Sequence, residues 1–190
     1  MTNKIYALVG PHASGKTMLL GQFISLGLNY IPTYTTREPG KIDSDSTFYR
    51  FISKEEFFKL ELIVKVTYKG QYYGVLKDDV LNALKNHQVS LMLSDNNGMK
   101  QISRILKERF ESIYIMSDYV TLVERMLLLG HTNDEIKYHL EYAENNGEFD
   151  YWKLTNYVVK NVNDAKVTFE QVAAILGLVN IKPKEEISDI

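Results

Sequence analysis

The chain opens with an apolar run, Ile5 to Val9, that stops at Gly10. Such a run bounded by a glycine predicts a short buried strand. Past Lys16 the period changes: Leu19, Leu20, Phe23, Ile24 and Leu26 fall near helical spacing, and Gly27 supplies a stop. From Tyr30 to about Asp79 the pattern breaks up around Pro32, Pro39 and the polar run Lys41 to Thr47. Short strands are predicted there at 48–52, 62–68 and 71–75, with a short helix at 54–60. Then alternation resumes: helix 78–86, strand 89–93, helix 99–109, strand 112–116 and helix 119–129. Thr132-Asn133-Asp134-Glu135 has capping-box spacing and predicts another helix, to about Asn145. A last strand at 157–160 and a last helix at 165–175 complete the series. Strands alternating with helices argue for an α/β fold with a parallel sheet covered on both faces.

Gly10-Pro11-His12-Ala13-Ser14-Gly15-Lys16-Thr17 matches G-x-x-x-x-G-K-[ST] between the first predicted strand and helix. Here glycines let the backbone curl until successive N–H groups point at phosphate oxygens. The following helix presents its positive end to the anion. Lys16 supplies a mobile charge for the β- and γ-phosphates, and Thr17 a hydroxyl for magnesium. Gly10, His12, Ala13, Ser14, Gly15, Lys16, Thr17 and Met18 are therefore the candidate ATP-binding residues, with Mg²⁺ accompanying ATP. The histidines His12, His87, His131 and His139 show no HExxH spacing and are read as non-metal residues.

Further on come Thr35-Thr36-Arg37-Glu38-Pro39-Gly40, Phe48-Tyr49-Arg50-Phe51, Ser53-Lys54-Glu55-Glu56-Phe57 and Gly70-Gln71-Tyr72-Tyr73-Gly74. In this order the set resembles guanylate kinases, whose motifs are TTRxPRxGE, DYxF and GNYYG; the likeness runs from Ile5 to about Ala174. By themselves, Arg37 on a turn before Pro39 suits a bidentate grip on phosphate, and Tyr49 and Tyr73 offer phenol donors. The resemblance implies that these three hold the acceptor's phosphate and that Thr33 touches its base. It implies a P-loop core at 1–33 and 78–180, an inserted acceptor lobe at 34–77, a lid at about 128–139, and a C-terminal tail at 181–190. It also implies phosphoryl transfer from ATP to a nucleoside monophosphate, GMP by default.

The departures qualify that expectation. The family's second Arg in TTRxPR is Gly40 here, with Lys41 beside it. Its guanine-reading Glu is Val64, and a neighbouring Ser or Thr is Val75. Losing a two-bond carboxylate contact removes ~3–6 kcal/mol of base binding. Asp95 is the replacement candidate, as base reader or weaker magnesium ligand; its structural alternative is a turn former ahead of Asn97-Gly98. Of three lid arginines, only Arg125 remains; the others are Leu129 and His139. One such Arg contributes ~10³–10⁵ in rate in other phosphoryl-transfer enzymes, so a slow enzyme or another source of charge is expected. Arg125 on a solvated helix face is the competing reading, and Leu127-Leu128-Leu129 would extend the core or form a protein contact.

Composition narrows the classes further. Net charge is −2, from 22 basic and 24 acidic residues, which gives no nucleic-acid surface. There is no cysteine, so thiolate metal sites and disulfides are excluded. No stretch reaches membrane-spanning length, and a cytoplasmic protein, monomer or homodimer, is expected. Two other readings stand beside GMP kinase. One is a kinase for another phosphorylated acceptor such as ribose 1,5-bisphosphate, which resembles this chain in Tyr72-Tyr73-Gly74-Val75. The other is a non-catalytic guanylate-kinase-like binding module, which the intact phosphate loop argues against.

Overall fold

A computed structural model describes residues 2–40, 48–162 and 164–178. Lys41, Asn163 and the 181–190 tail lie outside the described residues.

Strand β1 (Lys4–Val9) is central in a five-stranded parallel sheet. Its other members are β2 (Asn29–Tyr30), β7 (Val89–Leu93), β8 (Phe110–Met116) and β9 (Tyr157–Lys160), in the order β2-β7-β1-β8-β9. Side chains alternate across β1 as the pleat requires. Ile5, Ala7 and Val9 enter one core with Val80, Met92, Met99 and Ile102. Tyr6 and Leu8 enter a second with Leu19, Leu20, Phe23 and Val172. Both faces are thus buried, which explains the unbroken apolar run in the sequence.

The second sheet comes from the interrupted stretch. It contains β3 (Thr33–Thr35), β4 (Tyr49–Phe51), β5 (Leu62–Tyr68) and β6 (Gln71–Leu76), in the order β4-β3-β6-β5. Lys69 (φ 49°) and Gly70 (φ 76°) form the two-residue turn between β5 and β6. Positive φ at both positions matches the right-handed twist of a hairpin.

Among the described residues, seven α-helices cover the sheets: α1 (Lys16–Ser25), α2 (Lys54–Phe57), α3 (Lys77–Asn86), α4 (Asn96–Leu106), α5 (Tyr119–Leu128), α6 (Asn133–Asn145) and α7 (Ala165–Ile175). The expected capping box at Thr132 and Glu135 is formed, and Ser53 with Glu56 forms another at α2. Helix α4 starts at Asn96, three residues before the expected Met99, because the Asp95 side chain caps it through Gly98 N at 2.7 Å. Leu127, Leu128 and Leu129 do not extend the core: all three are exposed, Leu128 by 88%. No helix among the described residues is long and apolar enough to cross a membrane.

Candidate active site

The carboxyl ends of β1, β7, β8 and β9 lie side by side, and the loops leaving them form one site, as parallel sheets dictate. The loop from β1 into α1 is strongly curled, with φ of 148° at Gly10, 62° at Ala13 and 97° at Gly15. A Cβ on Gly15 would lie 2.3 Å from Asn161 Nδ2, and one on Gly10 would lie 2.6 Å from the Ile115 carbonyl oxygen. Both glycines are required by space as well as by dihedral.

The loop is braced from behind. Asn161, fully buried just past β9, donates from Nδ2 to the Ser14 carbonyl at 2.8 Å. Arg125 donates to the carbonyls of Ala13 (3.4 Å) and Ser14 (3.3 Å), to Ser117 Oγ (3.1 Å) and to Asn161 Oδ1 (3.3 Å). Arg125 therefore faces the back of the loop instead of a solvated helix face. The carbonyls of Ala13 and Ser14 are thus engaged behind the loop, away from the side where a phosphate would meet its N–H groups.

Lys16 folds over the loop, donating to the Gly10 (2.8 Å) and Pro11 (2.7 Å) carbonyls and to Ser14 Oγ (3.3 Å). Desolvation pushes its ammonium down to about 8, against an opposing pull from Glu148. Glu148 is a buried carboxylate that faces Lys16 and Lys69 and accepts nothing from them at hydrogen-bond distance. Burial raises its pKa more than the two lysines lower it. Each partner is thus pushed toward its neutral form, because desolvation outweighs their attraction. A curled cradle holding a desolvated lysine fits a polyphosphate. Thr17 and Met18 are exposed on the first turn of α1, and Thr17 is the hydroxyl available to a magnesium ion carried by that polyphosphate.

The acceptor candidates gather on the second sheet. The Arg37 guanidinium carbon lies 5.3 Å from the ring centroids of both Tyr49 and Phe51. The Tyr49 and Tyr73 rings pack edge to face at 6.5 Å. Arg37 N donates to Thr35 Oγ1 at 3.1 Å, which fixes the turn that carries it. Arg37, Tyr49 and Tyr73 are thus one cluster. Thr33 is paired with Tyr49 in the register of β3 and β4, and its hydroxyl is buried without a hydrogen-bond partner among the described residues.

Val64 and Val75 are cross-strand partners, 4% and 2% exposed, and belong to the first core. Their surroundings include Val80, Met99 and Ile102. Asp95 stands near them: a Cβ on Gly98 would meet Asp95 Oδ1 at 3.1 Å and Val64 Cγ1 at 3.3 Å. Burial raises the Asp95 pKa, partly offset by the backbone N–H groups it accepts from.

Several participants carry no sequence signal strong enough to find them. Lys69, on the β5–β6 turn, brings Nζ within 2.6 Å of His139 Nδ1 on α6, amid the rings of Tyr68, Tyr138 and Tyr142. Burial pushes Lys69 down to about 8. His12, His131 and His139, scattered along the chain, come together at the loop mouth. Desolvation, helped by neighbouring cations, pushes His12 down to about 3 and His139 to about 4. Asn161 had one signal: it follows directly on the last strand, at the carboxyl end of the sheet.

A family model for guanylate kinase matches residues 2–177. Among curated relatives, the guanylate kinase of Bartonella henselae is 27% identical over 165 residues, covering 84% of this chain and 74% of that protein. That of Anaplasma phagocytophilum is 24% identical over 185 residues, covering 94% and 88%. Among solved structures, a guanylate kinase from Anaplasma phagocytophilum superposes with a TM-score of 0.75 at 22% identity, covering 95% of this chain and 88% of its own. A shikimate kinase from Bacteroides thetaiotaomicron reaches 0.51 at 13% identity, covering 92% and 99%. At these identities the superpositions speak for the fold, a parallel α/β sheet shared with phosphate-loop kinases. The matched family model spans nearly the whole chain, and the chain belongs to the guanylate kinase family of ATP-dependent nucleoside monophosphate kinases.

Proposed function

We propose that this protein transfers the γ-phosphoryl group of Mg-ATP to a nucleoside monophosphate, with GMP the default acceptor and with weakened selection for the base. The observation that carries the reading is the pairing of an intact, braced phosphate loop with the Arg37–Tyr49–Tyr73 cluster in the same molecule.

Lys16 stabilises the charge that develops on the transferring group, and Thr17 holds the magnesium that accompanies ATP. Bound magnesium supplies further neutralisation of the phosphate oxygens. Arg37, Tyr49 and Tyr73 clamp the acceptor phosphate through charge-assisted hydrogen bonds. Thr33 offers the base a buried hydroxyl, and Asp95 a carboxylate close to Val64. Arg125 holds the loop in shape. Lys69 supplies, from the acceptor side, part of the positive charge absent at Leu129 and His139.

Weakened base selection follows from burial. A carboxylate reader and a hydroxyl reader are replaced by two valines packed into the core, leaving no polar group at those positions to reward guanine. That pair also keeps a base-free acceptor, such as ribose 1,5-bisphosphate, in play as a second reading. The test is an acceptor screen with Mg-ATP, reading ADP release with GMP, AMP, CMP, UMP and ribose 1,5-bisphosphate. Turnover fastest with GMP is the expected result. Turnover with the sugar bisphosphate alone selects the second reading, and tight ATP binding without turnover on any acceptor selects a binding module.

A further inference from the structure

Three imidazoles meet in front of the phosphate loop from three separate places: His12 in the loop, His131 just before α6, and His139 within α6. One ligand nitrogen from each lies within 4.8 Å of the others. His12 Nε2 and His131 Nε2 are 3.2 Å apart. Two nitrogens bound to one tetrahedral zinc, each at about 2.0–2.1 Å, stand about 3.3 Å apart. The cluster is therefore already near coordination spacing along one edge.

A second observation points the same way. Behind His131, on its other ring nitrogen, the Glu135 carboxylate lies 3.8 Å from Nδ1. Metal-bound histidines characteristically turn their second nitrogen toward such a carboxylate, which orients the ring and strengthens it as a donor. Glu135 is itself held in place by Thr132, through Oε2 to the Thr132 N–H at 2.7 Å. One ring must still turn: His12 and His139 stack at 4.1 Å with planes 12° apart, and their in-plane lone pairs converge on one ion only when His139 swings out of the stack.

We propose that His12, His131 and His139 bind one divalent cation of the zinc class, tying helix α6 to the phosphate loop. Three neutral imidazoles select zinc, cobalt, nickel or copper over magnesium, which prefers oxygen. The site is thus separate in chemistry from the Thr17 magnesium position. It does not rest on phosphoryl transfer, since it needs only the free protein.

The groups facing the cluster set its limits. Lys69 Nζ occupies His139 Nδ1 at 2.6 Å, and Lys16 also lies close enough to act on His12; Glu135 and Glu148 oppose them. Whichever nitrogen of His139 takes the metal, the hydrogen bond from Lys69 is lost. Ligation through Nδ1 displaces the ammonium directly. Ligation through Nε2 puts the ring proton on Nδ1, which then has nothing to accept with. Metal and Lys69 therefore compete for one ring.

The experiment uses the full chain, stripped of metal and free of nucleotide. Zn²⁺ is titrated by calorimetry, and Co²⁺ by its visible absorption, which is intense only in tetrahedral sites. One ion per chain is expected, with no response to Mg²⁺ at the same concentrations. His131→Ala and His139→Ala each weaken Zn²⁺ binding tenfold or more, while His87→Ala leaves it unchanged. Lys69→Met tightens binding several-fold, a gain that damage to the fold does not produce. Absence of saturable Zn²⁺ binding overturns the proposal. So does affinity that is the same in wild type and in the His131→Ala/His139→Ala double variant.

Discussion

In the proposed reading, the phosphate loop and the second sheet handle the same kind of anion by opposite means. In the loop the binding groups are backbone N–H donors, and the side chains mostly fix the curl: Gly10 and Gly15 by having no Cβ, Asn161 and Arg125 by drawing carbonyls backward. On the second sheet the proposed binding groups are side chains: Arg37 on the turn after β3, Tyr49 on β4 and Tyr73 on β6. A backbone site tolerates few substitutions because the chain path itself is the site. A side-chain site can lose one reader and keep the rest. The loop here matches its motif at every specified position, whereas the second sheet keeps the Arg37–Tyr49–Tyr73 cluster and carries Val64 and Val75 at the two positions where the resemblance implies polar base readers.

The largest effect is expected in the loop. Lys16→Ala removes the cation folded over the loop, and turnover on the best acceptor falls by ~10²–10³-fold or more. The protein remains folded, since the ammonium is desolvated and its removal relieves that cost. A steady-state assay beside a melting curve checks both statements; turnover within tenfold of wild type would show that the loop is not where ATP reacts.

On the second sheet, Arg37→Gln removes a charged clamp and leaves the loop untouched. The KM for the acceptor rises by ~10–150-fold, the equivalent of ~1.5–3 kcal/mol for a hydrogen bond to a charged group, while the Kd for ATP stays within twofold. Equal losses for ATP and acceptor would erase the contrast between the two regions.

The base pocket should respond more weakly. Wild type is expected to separate GMP from AMP by less than tenfold in kcat/KM. Val75→Thr restores a single neutral donor beside Val64 and raises GMP over AMP by ~2–12-fold, the range of ~0.5–1.5 kcal/mol. A wild-type preference of a thousandfold for GMP would place base reading on another group, with Asp95 first in line.

The contrast also explains what could be read from the chain. The loop was legible because backbone chemistry demands glycines at fixed spacing next to a helix start. The strand 62–68, the strand 89–93 and the capping box at Thr132 were legible because each has a local period or cap. Strands β2 and β3 are two and three residues long and have neither period nor cap to mark them, whereas β4, equally short, lies in the aromatic run Phe48-Tyr49-Arg50-Phe51. Asp95 was open between turn former and reader, and the structure shows its cap on α4, which moves that helix start forward. The histidine cluster and Lys69 are products of tertiary folding. Positions 12, 131 and 139 share no spacing rule, and Lys69 meets His139 only because a hairpin with two positive-φ residues aims it there.

The smallest effect expected is a fraction of a proton, and it tests the loop without a mutation. Lys16 is held at about 8 in the free protein by desolvation, below its ordinary value of 10.5. A polyphosphate beside it favours the charged form and raises that pKa. At pH 8 about half of the free protein carries a neutral Lys16, so ATP binding takes up roughly half a proton; at pH 6.5 Lys16 is already charged and contributes almost none. Calorimetry in buffers of different ionisation heat reads the number. The free protein supplies the sign check. Between about pH 8 and 10.5 the unfolded chain binds the proton that folded Lys16 has given up, so stability rises with pH across that window, and saturating ATP should flatten the rise. Lys16→Ala should remove the proton uptake and the share of the rise that Lys16 supplies, leaving the contribution of the same sign from Lys69, which is also held at about 8. Uptake that persists in that variant belongs to another group, and the loop lysine would then already be charged and solvated before ATP arrives.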